Sequence, residues 1–190
     1  IAFITSIASF SQKNDLVLGK ELVAANRQTL RLSEEDLNNI IIKDSYFDRL
    51  AKVQMVYVQQ SYLGLPVFNQ LQVIAFKNGA VVSNAGGRIR KIETVAGSST
   101  AVAYTAESAV TEALAAKKIS GYGQLNGTLK GSKIDFGNLG VCSETVTAEL
   151  MWLPLKEASE VHLVWQIRLV PNSRADYWMI RVDAMTNKVI

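Results

Sequence analysis

Residues 161–169, VHLVWQIRL, carry Val161, Leu163, Trp165, Ile167 and Leu169 on one parity and His162, Gln166 and Arg168 on the other. Successive side chains of a strand point to opposite faces, so this is the pattern of an antiparallel strand with one face buried and the other wet or covered by something else. The period recurs on both sides. Val146, Ala148, Leu150 and Trp152 share a face upstream, and Trp178, Ile180 and Val182 share one downstream. Three such strands form a meander whose apolar face is most economically covered by the preceding helix. In that helix Ala106, Ala109, Val110, Ala113 and Leu114 fall at i, i+3, i+4, i+7 and i+8, one continuous stripe that Thr105 can cap. Glu107 suits the positive end of its dipole, Lys117 and Lys118 the negative end, and Gly121 a stop. A glycine-rich loop over residues 121–140 joins helix and strands.

Working back along the chain, the same order of helix and then meander occurs once more. GKELVAANRQTL, residues 19–30, places Leu22, Ala25 and Leu30 near one helix face. Ser33 reads as the N-cap of a second short helix, with Glu34, Glu35 and Asp36 in its first turn and Leu37, Ile40 and Ile41 as its apolar side. Strands are expected at 53–62 and 65–76, joined by a turn at Gly64, and then a third carrying Val81, Ala85 and Ile89. Asn78-Gly79 is a strong hairpin signal because both residues tolerate positive φ. The Gly/Ser/Thr-rich stretch from Val95 to Thr105 separates the halves.

Composition describes a globular chain. Apolar residues make up 48% and charged residues 19%, with only 3 Pro, which argues against disorder. The net charge of +3 is dispersed without a block of like charges, so neither a nucleic-acid nor a stable membrane partner is expected. A single Cys cannot form an internal disulfide and leaves the redox compartment open. The first residues, IAFITSIASFSQK, run from apolar to small side chains, with Ser9 and Ser11 at −3 and −1 before Gln12. They read either as the remnant of a signal peptide, which would make the chain secreted, or as an apolar first strand.

The segment from Met55 to Ile89 resembles the fungalysin/thermolysin propeptide motif through Val56, Tyr57, Gln60, Gly64, Val67, Phe68, Asn78, Gly79 and the Gly86-Gly87 pair. VHLVWQIRL followed by DYWMIRVDAMTNKVI is similar to the end of a PepSY module, with Trp165, Trp178, Val182, Asp183, Ala184, Thr186 and Val189 in order. Asn187 stands where glycine is usual, and asparagine can take the same left-handed turn. Together the motifs resemble the prosegment of secreted bacterial fungalysin-type zinc metallopeptidases. The resemblance implies an α+β fold of two cystatin-like or PepSY-like subdomains, over residues 12–97 and 98–190, after a leader at 1–11. It implies a partner in cis, the catalytic domain of the same precursor, whose folding the segment assists and whose activity it holds back. The abrupt ending at VDAMTNKVI would then be a cut in that precursor.

The protease's own chemistry is not in these residues. His-Glu-x-x-His is missing, so zinc is expected in the downstream domain and no cofactor, metal or catalytic residue in this one. His162 lies on the polar side of its strand and reads as a surface histidine. Cys142 has no histidine close in sequence and reads as an inert or partly buried thiol. GTLKGSK and NAGGRIRK lack the spacing of a phosphate loop, and Arg88, Arg90 and Lys91 read as a solvated face. The three tryptophans are expected to be core. A polar face with Gln54, Gln60, Gln70 and Gln72 is the expected partner surface, since neutral amides can be covered without stranding a charge. The leading expectation is a non-enzymatic prosegment. The alternatives are a stand-alone secreted binding or protease-inhibitor module and, more remotely, an enzyme using Cys142.

Overall fold

The computed structural model describes residues 4–173 and 175–190, those up to 13 by backbone alone. The fold is mixed, helices with antiparallel strands, and contacts divide the chain into two units, one ending at Arg90 and the other running from Lys91 to Ile190. The leader reading covers residues 1–11, of which 1–3 lie outside the described residues and 4–11 belong to the first helix.

In the first unit α1 (Ile4–Ala25) is followed by α2 (Glu34–Asn38) and four strands, β1 (Ile40–Asp48), β2 (Val53–Tyr62), β3 (Leu65–Lys77) and β4 (Ala80–Gly86). The strands pair antiparallel in chain order. α1 ends at Ala25, short of the expected Leu30, because the chain then tightens: Arg27 N–H bonds the Ala24 carbonyl, and Arg31 takes a positive φ of 55°. Leu30 is nonetheless buried, in a core with Val23, Leu32, Val56, Val58, Ile74 and Phe76. Ser33 caps α2 as expected, in a full capping box with Asp36.

α1 crosses the sheet at Gly19. A Cβ there would stand 2.9 Å from Ser45 Oγ and 3.2 Å from Val56 Cγ1, so the absent side chain is what lets helix and strands approach.

β1 is a correction to the sequence reading, which ended the short helix with Ile40 and Ile41. Those residues open a strand, pairing with Gln60 and Gln59. Its burial does not alternate, because a register shift between Ile42 and Asp44 interrupts the pattern. Asn78 and Gly79 form the β3–β4 turn with φ of 51° and 80°, the two-positive-φ geometry of a two-residue hairpin.

The second unit holds α3 (Ala106–Ala116) and five strands, β5 (Thr128–Lys130), β6 (Lys133–Asp135), β7 (Thr147–Leu155), β8 (Glu160–Leu169) and β9 (Trp178–Asp183), paired antiparallel in chain order. β5 and β6 lie in what the sequence suggested was only loop. Thr105 caps α3, and the buried residues of α3 are the five of the expected stripe. α3 covers the face that carries the tryptophans: Lys117 Nζ, at its C-terminal end, lies 3.4 Å from the centroid of the Trp178 ring, and Trp165 Nε1 donates to the Tyr104 carbonyl at 2.9 Å. Trp152 and Trp165 are buried, whereas Trp178 is half-buried.

Candidate functional site

The polar residues of the sequence motifs are first of all fasteners. Gln60 is buried, and its side-chain amide makes a reciprocal pair with the Ile89 backbone: Nε2 donates to the Ile89 carbonyl and Oε1 accepts the Ile89 N–H, both at 2.8 Å. It copies a β-ladder contact and pins the chain beyond β4 to β2. The neighbouring Gln59 donates to the carbonyls of Val67 at 2.6 Å and Gln70 at 3.0 Å, spanning the irregular part of β3 where Asn69 has a φ of 56°. Tyr57 stacks on Tyr46, Val67 is fully buried, Phe68 is half-buried, and Gly64 closes the β2–β3 turn.

The expected glutamine face is not a free surface. Gln54 and Gln60 share the parity of Val56 and Val58, which places them on the side of β2 that faces the core. Gln54 Nε2 donates to Ser45 Oγ at 2.9 Å. Only Gln70 and Gln72 stay partly exposed, and Gln72 Nε2 reaches Asn84 Oδ1 at 3.2 Å. Polar side chains suggest the wet face, but Gln54 and Gln60 lie on the core side because both amides are satisfied internally.

In the second unit Asp183 ends β9 and organises the turn beyond it. Its Oδ1 accepts the N–H groups of Met185 at 2.9 Å and Thr186 at 2.8 Å, and its Oδ2 lies 2.9 Å from His162 Nδ1. Its backbone N–H bonds the Lys188 carbonyl, Asn187 has a φ of 57°, and Val189 bridges back to Val182, so VDAMTNKV is a closed hairpin. Ala184 donates to Leu163 and accepts from Ala103 and Tyr104, tying this hairpin to the entry of α3. Burial pushes the Asp183 carboxyl up, but the hydrogen bonds from His162 and the two N–H groups outweigh it and hold the carboxyl below its ordinary value.

His162 therefore sits at the surface, as read from sequence, yet is not free. Because ionised Asp183 accepts at Nδ1, the ring proton belongs there and Nε2 is left to face outward. Glu160 Oε2 stands 3.7 Å from Nε2, while Glu160 itself pairs with Lys156 at 2.6 Å. This edge opens on a cleft of about 460 Å³ whose walls include Gly97, Ser98, Trp152, Leu163 and Met185. Residues 95–96 run beside β8, with Val161 N–H bonded to the Val95 carbonyl, and so bring Gly97 and Ser98 to the cleft.

With Nδ1 engaged by Asp183, Nε2 is the ring nitrogen that an entering group could meet by a hydrogen bond. Nucleophilic catalysis would need a hydroxyl or thiol bonded to Nε2, and none is so placed among the described residues. Ser99 Oγ accepts the Ala101 N–H. Cys142 is buried elsewhere, bridged to Pro171, and burial pushes its thiol up. No cluster of three metal-ligating side chains occurs among the described residues. The His162–Asp183 pairing was missed in the sequence; strand parity plus the β8–β9 register, which sets Val164 opposite Asp183, is the signal that leads to it.

No family model and no curated protein matches the chain. Among solved structures, the Bacillus megaterium YpeB C-terminal domain is similar to it with a TM-score of 0.35 and 12% identity, over 92% of this chain and 64% of that one.

Proposed function

We propose that the chain is a non-catalytic prosegment of a secreted zinc metalloprotease, a folding assistant and inhibitor of the catalytic domain in the same precursor, built from two cystatin-like or PepSY-like subdomains. The observation that carries this reading is how the motif residues are used. Gln60, Asn78 and Gly79 in the first unit, and Asp183 and Thr186 in the second, all close turns or clasp strands, so within each unit they serve as scaffold and not as reacting groups. A scaffold of this kind acts by contact. If it binds the folded protease and not the unfolded one, it stabilises the fold by mass action, and covalent linkage makes its effective concentration high. The zinc and the hydrolytic groups belong to the catalytic domain.

Two measurements test the proposal. The reading frame beyond Ile190 should encode His-Glu-x-x-His, and the mature catalytic domain made from it should lose peptidase activity when this chain is added in trans. Saturating chain that leaves peptidase activity untouched would overturn the reading. A stop codon close to Ile190 together with inhibition of another protein would favour the stand-alone inhibitor module.

A further inference from the structure

The first unit carries a second concave surface, distinct from the His162 cleft. It has a volume of about 560 Å³ and lies between the C-terminal half of α1, the β1–β2 hairpin and the β3–β4 turn. Leu18, Leu22 and Phe47 give it apolar walls, and Arg49, Lys52 and Lys77 line it with positive charge. No carboxylate lines it, and none of the three cations has an ion pair among the described residues. Phe47 is 56% exposed and Leu50, at the hairpin tip, 97% exposed. The tip is fixed: Asp48 Oδ1 accepts the N–H groups of Leu50 at 2.9 Å and Ala51 at 3.0 Å, which holds Leu50 out between Arg49 and Lys52. Leu50 and the three cations are left over by the fold, and a part-apolar concavity lined by free positive charge is suited to contact with a partner of opposite charge.

We infer that this cleft is the docking site for an acidic, amphipathic polypeptide segment, a run of apolar side chains flanked by Asp or Glu. The apolar walls take the stripe, and the three cations take the carboxylates that flank it. The charges line a concavity, where a segment can meet them from several sides; a flat lipid surface cannot enter it. The inference rests on the reading of the chain as a module that grips a polypeptide, and assigns the chemistry of what is gripped.

The probe is a fluorescein-labelled amphipathic helical peptide with a Leu/Phe stripe flanked by Glu, compared with its twin in which Lys replaces Glu. Anisotropy should show the acidic peptide bound and the basic one not. Binding should weaken at least about tenfold in R49E/K52E/K77E and fall with added salt. Phe47→Ser should weaken it without changing the salt dependence. All four positions are exposed, so circular dichroism and the melting temperature should match those of the native protein. Equal binding of both peptides, no binding of either, or attachment to phosphatidylglycerol vesicles in place of the peptide would each overturn the inference. The protease reading fails separately. A chain that binds the acidic peptide but leaves the catalytic domain active sinks that reading alone, whereas acidic peptide bound as tightly by R49E/K52E/K77E as by the native protein sinks the docking site alone.

Discussion

Gln60 shows how one side chain can stand in for a missing length of strand. Its two hydrogen bonds satisfy the Ile89 N–H and carbonyl in a buried place, so Gln60→Leu removes both and strands two polar groups. The expected cost is about 2–4 kcal/mol, read as a lower urea midpoint at unchanged slope; a loss within about 0.5 kcal/mol would mean the clasp is idle. Asp183 gives a pH signature. Its folded carboxyl is held below the unfolded value of about 3.9, so its stabilisation is complete above that value and is lost as pH falls through the lower, folded one. Asp183→Asn should therefore be less stable than the native protein at pH 7 yet lose less on acidification below about pH 4, by urea titration at each pH; equal acid losses would contradict the assignment. Cys142, buried and with its thiol pushed up, should resist a thiol reagent in the folded protein and react once it is unfolded, which mass spectrometry resolves.

At the level of elements, the contact of α1 with the sheet turns on Gly19. Alanine would raise helix propensity by about 1 kcal/mol, but its Cβ would press on Ser45, which cannot swing away without losing its bond to Gln54. Overpacking should win, leaving Gly19→Ala about 1–3 kcal/mol less stable by chemical denaturation; a stabilised variant would show that α1 is looser than described. The elements legible in sequence are those whose burial is periodic. α3 shows its stripe, and β8 alternates at nearly every position apart from Val164, which is buried on the otherwise polar side. β1 was hidden because Ile40, Ile41 and Ile42 suit a helix end as well as a strand, and its register slips soon after. β5 and β6, three residues each and mostly exposed, have too few side chains to show a period. The Gln60–Ile89 clasp joins residues 29 apart through a side chain, a contact that no local pattern encodes.

For the whole molecule, the candidate sites were less legible than the fold. His162 and Cys142 could be read singly, but the pairing of His162 with Asp183 needs the strand register, and the basic cleft gathers residues from α1, the β1–β2 hairpin and the β3–β4 turn that sequence order keeps apart. The glutamine face failed for the opposite reason, since amides that look available from their chemistry are consumed by the fold. What remains on the surface of each unit is a concave, part-apolar cleft, the His162 cleft in one and the basic cleft in the other. The most direct test is refolding of the denatured catalytic domain that the proposed function places in the same precursor, with this chain added in trans and then digested away before peptidase assay. The account predicts that recovered activity rises with added chain and saturates near one equivalent; recovery that is the same with and without the chain would contradict it.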